Sequence, residues 1–188
     1  LRQGGNAMDA AVTMAAMLSV LRPHMNSVGC DAFLLYYDAN TQQVSALNAS
    51  GRAGSLATPD FIAEAGNERM PFSGALSITV PGTVSAWDEA LKRFGSMSLA
   101  DALQPAIDVA EHGFMVTSTL AEDMASGAPR LNDAGRSIYM KGDQAYKHGD
   151  VLFSKDLAKS LRMIAEQGAS TLYGGELGNT IAQYLSQQ

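Results

Sequence analysis

Gly4-Gly5-Asn6-Ala7-Met8-Asp9, running on into the alanine-rich stretch Ala10 to Leu21, decides how the rest of the chain is read. Asn6 is a strong N-cap residue, and Asp9 three places later completes a capping box. The same helix start could offer backbone N–H groups to an anion, but capping is the simpler use of these residues. Apolar side chains surround the helix on nearly all sides, which predicts burial between other elements. A helix over residues 7–21 would be roughly 22 Å long, short of a bilayer core. Asp9, Thr13 and Ser19 also interrupt it, so a core helix is read and not a membrane span. Pro23 disfavours helix at the residue before it and sets the end.

Outward from that helix the pattern changes period. Ala32 to Tyr37 is a continuous apolar run, Asp38-Ala39-Asn40-Thr41 supplies turn residues, and Val44 to Leu47 returns. This predicts a β-hairpin whose first strand is covered on both faces. Asn48-Ala49-Ser50-Gly51-Arg52 leaves the second strand. Leu76 to Val80 reads as a third strand, stopped by Pro81-Gly82. Val84, Trp87, Leu91 and Phe94 then follow at helical spacing up to Gly95. Ser98 caps the next helix, which Pro105 is expected to divide into two short ones, the second closed by Gly113. Thr117 to Ala125 reads as a further helix, and a small hairpin is expected around Lys141-Gly142-Asp143. Ser154 is read as the cap of a helix carrying Leu157, Leu161 and Ile164. A last helix starts near Glu176. Helices outnumber strands, and three strands cannot cover so many amphipathic helices. The reading is a single partial domain over 1–188, α+β and helix-rich, with its sheet completed by sequence outside this chain.

Lys and Arg total 13 against 19 Asp and Glu, a net charge of −6 with no basic stripe. That argues against a nucleic-acid surface, which must neutralise phosphates. A single cysteine, Cys30, excludes an internal disulfide and a cysteine-based zinc cluster. No cation close in sequence would activate it, so a buried, inert thiol is expected. His24, His112 and His148 share no metal-ligand spacing, and no metal or cofactor is read. His112, beside Gly113 at a helix end, favours the dipole. No Gly-x-Ser-x-Gly elbow, His-Glu-x-x-His motif or phosphate-binding loop occurs. Asn48-Ala49-Ser50 matches a glycosylation sequon by chance, since the strand exit reads as enclosed. The chain opens on Leu1 without a charged leader, as a piece of something longer would, and compartment is not legible from it.

Several segments together carry a resemblance. Leu1-Arg2-Gln3-Gly4-Gly5-Asn6-Ala7-Met8-Asp9-Ala10-Ala11 comes first, and Pro23 to Phe33 leads into the hairpin. Val80-Pro81-Gly82-Thr83-Val84 follows, then Gln104-Pro105-Ala106-Ile107 with Glu111-His112-Gly113-Phe114. Gly149-Asp150 through Leu157-Ala158 and Leu172-Tyr173-Gly174-Gly175-Glu176 close the set. In this order they resemble the large subunit of the γ-glutamyltranspeptidase family, over the whole chain. The resemblance implies part of an N-terminal-nucleophile hydrolase, an αββα sandwich, lacking the small-subunit sheet. It implies a precursor that cuts itself, leaving a small subunit whose N-terminal threonine is the nucleophile and whose α-amine is the base. It therefore implies no catalytic residue in this chain.

The resemblance also implies one substrate-binding residue. In the family an arginine just after the second hairpin strand binds the α-carboxylate of the glutamyl group, and Arg52 stands at that place. A guanidinium suits the role as a planar, permanently charged fork. The implied function is a γ-glutamyl transferase or hydrolase acting on amides such as glutathione, partnered by the small subunit. Gly29-Cys30-Asp31-Ala32 in place of a glycine run, and Arg52-Ala53-Gly54 without a following glutamate, point to the transpeptidase-like and cephalosporin-acylase-like branch. The alternatives are thus an acylase of glutaryl or cephalosporin type, or a catalytically silent fragment.

Overall fold

The structure, a computed structural model, describes residues 1–187. The chain runs from α1 (Ala7–Leu21) into a hairpin of β1 (Ala32–Asp38) and β2 (Gln43–Ala49). A short α2 (Pro59–Glu64) precedes α3 (Thr83–Phe94) and α4 (Leu99–His112). A smaller region holds β3 (Phe114–Met115), α5 (Ser118–Gly127), α6 (Asp133–Tyr139), β4 (Met140–Lys141), β5 (Gln144–Ala145) and β6 (Val151–Leu152). Then come α7 (Lys155–Gln167) and α8 (Glu176–Leu185). The strands pair antiparallel as β1–β2, β3–β6 and β4–β5. None of the described helices is long and apolar enough to cross a membrane.

The main core is helical. Met8, Val12, Ala16 and Val20 of α1 meet Leu103, Ile107 and Ala110 of α4, with Leu161 and Ile164 of α7 on the other side. Ser98 and Asp101 form a capping box that starts α4. Pro105 does not divide this helix; Leu99–His112 is continuous. Proline in a helix interior costs about 3 kcal/mol. Leu103 and Ile107 flank it, at 0% and 2% exposure, and each contributes about 1.5–3 kcal/mol when buried. Tertiary burial on both flanks of α4 outweighs the proline. Ser154 likewise departs from expectation. It precedes α7 without a side-chain cap, and its backbone N–H goes to Ala110 O at 2.9 Å.

The hairpin pairs Ala32 with Ala49 through Asp38 with Gln43. Its turn is held by Asp38, whose carboxylate accepts the Asn40 N–H at 2.9 Å and the Thr41 hydroxyl at 3.0 Å. These bonds keep its pKa below the ordinary value. One face lies on α3, where the Tyr36 and Phe94 rings stack at 4.3 Å. The other face is open, contrary to the two-sided cover expected from the sequence. Phe33, Leu35, Tyr37 and Val44 are 70%, 79%, 58% and 66% exposed. The alternation along β1 is half in and half out, and no described residue packs over its apolar outward side chains. Met14 and Leu18 form a similar exposed line on α1, which is therefore not buried all round.

The expected third strand over Leu76–Val80 is absent among the described residues. Ala75–Ser77 is a 3-10 turn, and Val80 gives a single backbone bond to Arg52 O. β2 stops at Ala49, and Pro81 has no N–H with which to extend a ladder. The small hairpin around Gly142 forms as expected, from β4 and β5. A second, smaller core gathers Val116, Leu120, Met124 and Leu152.

Asp9 explains why the opening segment matters. The Asn6 side chain accepts from Met8 N and Asp9 N, and Asp9 Oδ2 accepts the Asn6 N–H at 2.7 Å. Asp9 also reaches across to the end of α3. It accepts the Ser96 hydroxyl at 2.7 Å, the Ser96 N–H at 2.9 Å and the Met97 N–H at 3.1 Å. Asn6 Nδ2 donates to Phe94 O at 2.7 Å. The carboxylate is 1% exposed. Burial pushes its pKa up, but the Ser96 hydroxyl and the Asn6, Met97 and Ser96 N–H groups overcome that and hold it at about 2. The segment is a staple between α1 and α3.

Candidate functional site

The opposite end of α3 builds a different kind of place. The exit of β2, residues 47–52, lies against the Val80-Pro81-Gly82 turn, and between them opens a cleft of ≈ 630 Å³. Arg52 lines it and Tyr173 stands on its wall. The two segments touch through backbone. Val80 N donates to Arg52 O at 2.9 Å. A Cβ at Gly82 would collide with the Ala49 carbonyl oxygen, and one at Gly51 with that of Val80. Gly51 also sits at φ 77, where only glycine is at ease. Side chains at 51 and 82 would force the strand exit and the turn apart and carry Arg52 with them.

The turn is fixed from behind as well. Cys30 O accepts Gly82 N and Thr83 N at 3.0 Å each, and the Thr83 hydroxyl at 2.7 Å. Arg52 itself is exposed, and among the described residues it makes no ion pair. The acids on the same wall are matched: Asp88 Oδ2 lies 2.6 Å from Lys92 Nζ, and Glu89 pairs with Arg93. The cleft thus presents a cation with no protein counter-ion beside carboxylates that already have theirs. A guanidinium of this kind is a planar, permanently charged fork with its donors free to form a bidentate pair.

Other sequence candidates lie elsewhere. Cys30 is exposed, not buried; its carbonyl rather than its thiol works in the site. His112 Nδ1–H donates to Asp108 O at 2.9 Å, a local contact within α4. His24 Nε2 lies 3.0 Å from Asp123 of α5, and His148 sits in the small region near Tyr146. Asn48 of the sequon is exposed at the strand exit, its Oδ1 accepting the Ser50 N–H at 3.0 Å, so that exit is not enclosed. No group of three or more His, Cys, Asp or Glu among the described residues could hold a metal ion. Sequence reading singled out Arg52, which lines this cleft, and gave no site role to Tyr173 or Gly82. Both act through contacts across long sequence gaps, where local pattern carries no signal.

The family model for gamma-glutamyltranspeptidase matches residues 1–188. The chain belongs to the γ-glutamyltranspeptidase family. A glutathione hydrolase-like proenzyme of Bacillus subtilis (strain 168) is 39% identical to this family member over 98% of the chain and 35% of its own length. An acylase proenzyme of Pseudomonas sp. (strain V22) is 36% identical over 99% of the chain and 35% of its own length. The chain therefore spans about a third of the length of these relatives. The γ-glutamyltranspeptidase of Helicobacter pylori superposes with a TM-score of 0.92 at 31% identity, over 99% of this chain and 55% of that one. The cephalosporin acylase of Bacillus halodurans gives 0.93 at 35%, over 99% and 36%. The helix-rich α+β architecture of this γ-glutamyltranspeptidase family chain is accordingly that of N-terminal-nucleophile hydrolases.

Proposed function

We propose that the full-length protein is a γ-glutamyl transferase or hydrolase, that residues 1–188 form its large-subunit portion, and that Arg52 binds the α-carboxylate of the glutamyl donor. The observation that carries this is the exposed Arg52 guanidinium in the cleft, without a protein counter-ion among the described residues. The nucleophile belongs to a small subunit outside this chain, an N-terminal threonine with its own α-amine as base. Its hydroxyl attacks the γ-amide carbonyl as the amine takes the proton. The protonated amine then gives that proton to the amide nitrogen, which leaves as an amine, and water or an amino acid accepts the acyl group. Arg52 holds the far end of the donor in place during both steps.

In the full-length protein, Arg52→Ala should raise KM for a γ-glutamyl anilide about 30-fold, the value of a charge-assisted bidentate pair, with kcat much less affected. An unchanged KM removes Arg52 from the site.

A second reading has its own support. Gly29-Cys30-Asp31-Ala32 departs from the glycine run of typical transpeptidases, and acylases stand among the relatives and the structural neighbours. A glutaryl donor would keep the terminal carboxylate for Arg52 and lack the α-amino group. Competition between γ-glutamyl and glutaryl anilides separates the two, glutaryl preference favouring the acylase.

A further inference from the structure

Tyr173 packs against the main core just before Gly175-Glu176 start α8, and the proposed chemistry gives its hydroxyl no role. Its phenol oxygen accepts the Ser85 N–H at 3.0 Å and donates to Pro81 O at 2.7 Å. Ser85 is the third residue of α3, whose N–H is the one an N-cap side chain ordinarily satisfies. The N-cap of α3 is Gly82, which makes no side-chain cap bond. It has no room for a side chain, because a Cβ there would collide with Ala49 O. The close approach of the β2 exit to this turn thus removes the local cap. A hydroxyl from 88 residues away replaces it.

The same phenol grips the Pro81 carbonyl, on the segment whose Val80 N–H holds Arg52 O. Tyr173 also lines the cleft with Arg52. Backbone bonds therefore run unbroken from the phenol through Pro81 and Val80 to the backbone of Arg52.

We infer that Tyr173 is a positioning residue: a tertiary N-cap for α3 that sets the Pro81-Gly82 turn and, through it, the reach of Arg52 into the cleft. The inference rests on the carboxylate role proposed for Arg52. Tyr173→Phe keeps the ring and its packing and deletes only the hydroxyl.

The experiment is a double-mutant cycle in the full-length protein, with hydrogen exchange read at Ser85. Tyr173→Phe should raise KM for a γ-glutamyl anilide about 3- to 10-fold at nearly constant kcat, the effect of losing one or two neutral hydrogen bonds. In the Arg52→Ala background the same substitution should change KM by less than about twofold, because the group it positions is gone. Exchange at the Ser85 amide should quicken about 10-fold or more in Tyr173→Phe. An equal rise in KM with and without Arg52 overturns the positioning role, while leaving Arg52 as the carboxylate anchor. Unaltered Ser85 exchange overturns the cap. If Arg52→Ala alone leaves KM unchanged, the carboxylate reading fails and takes this link with it, whatever Ser85 does.

Discussion

The two ends of α3 carry the two charged signatures of this chain, and they are built on opposite principles. At the C-terminal end the Asp9 carboxylate is buried and saturated with donors from Asn6, Ser96 and Met97. At the N-terminal end the Arg52 guanidinium is exposed in a cleft, without an ion-pair partner among the described residues. In sequence each is a charged residue close to glycine. A buried charge whose hydrogen bonds are complete has nothing left to offer a ligand and serves the fold. A charge left unmatched in a cleft still has its bonds to give.

The sharpest way to break this contrast is to exchange the expected phenotypes. Asp9→Ala strands the Ser96 and Met97 donors and severs α1 from α3. It should cost roughly 3–4 kcal/mol, seen as a lower urea midpoint of the full-length protein, with KM of the folded enzyme little changed. Arg52→Ala should do the reverse, moving KM with the midpoint within about 0.5 kcal/mol of the parent. A large loss of stability from Arg52→Ala, or a KM effect from Asp9→Ala at full folding, would dissolve the distinction.

A pH titration sharpens it further. The Asp9 pKa lies at about 2 in the fold, against 3.8 ordinarily. The folded form therefore releases this proton more readily than the unfolded chain does. Its contribution is complete above about pH 4 and drains away as pH falls toward 2. Asp9→Asn should be less stable than the parent at pH 7, and the gap should narrow through that acid window. A gap that holds constant down to pH 2 would mean that the charge is not what the staple uses.

How much of this contrast the sequence discloses depends on distance along the chain. The Asn6–Asp9 box, the Ser98 cap, the hairpin and the position of Arg52 at its exit are local signals, and each is legible. The onward reach of Asp9 to Ser96 spans 87 residues, and that of Tyr173 to Ser85 spans 88. No periodicity encodes either. The misread elements fail for the same reason in reverse. Leu76–Val80 has strand-like composition but no partner edge, and Pro105 has a breaker's chemistry inside a helix that stays continuous between its neighbours α1 and α7. Cys30 looks like core by residue type, yet its place beside the cleft turn leaves the thiol exposed. Phe33 and Leu35 sit in an apolar run that reads as covered on both faces, yet no described residue covers them and both stand exposed. Composition reports that a face is apolar; it does not report what lies against it.

The smallest expected effect tests whether the matched acids at the cleft matter to the cation. Asp88 lines the same cleft as Arg52, and Lys92 one turn along α3 neutralises it at 2.6 Å. The pair is a surface contact, so its removal should barely touch stability. Lys92→Ala leaves the Asp88 charge uncompensated on the wall that an anionic donor must pass. KM should then rise by less than about twofold at low ionic strength, and the difference should fade as added salt screens it. A salt-independent rise would point to a changed shape rather than a changed field. A fall in KM would mean that the Asp88 charge does not face the donor, and would take the matched acids out of the account of this cleft.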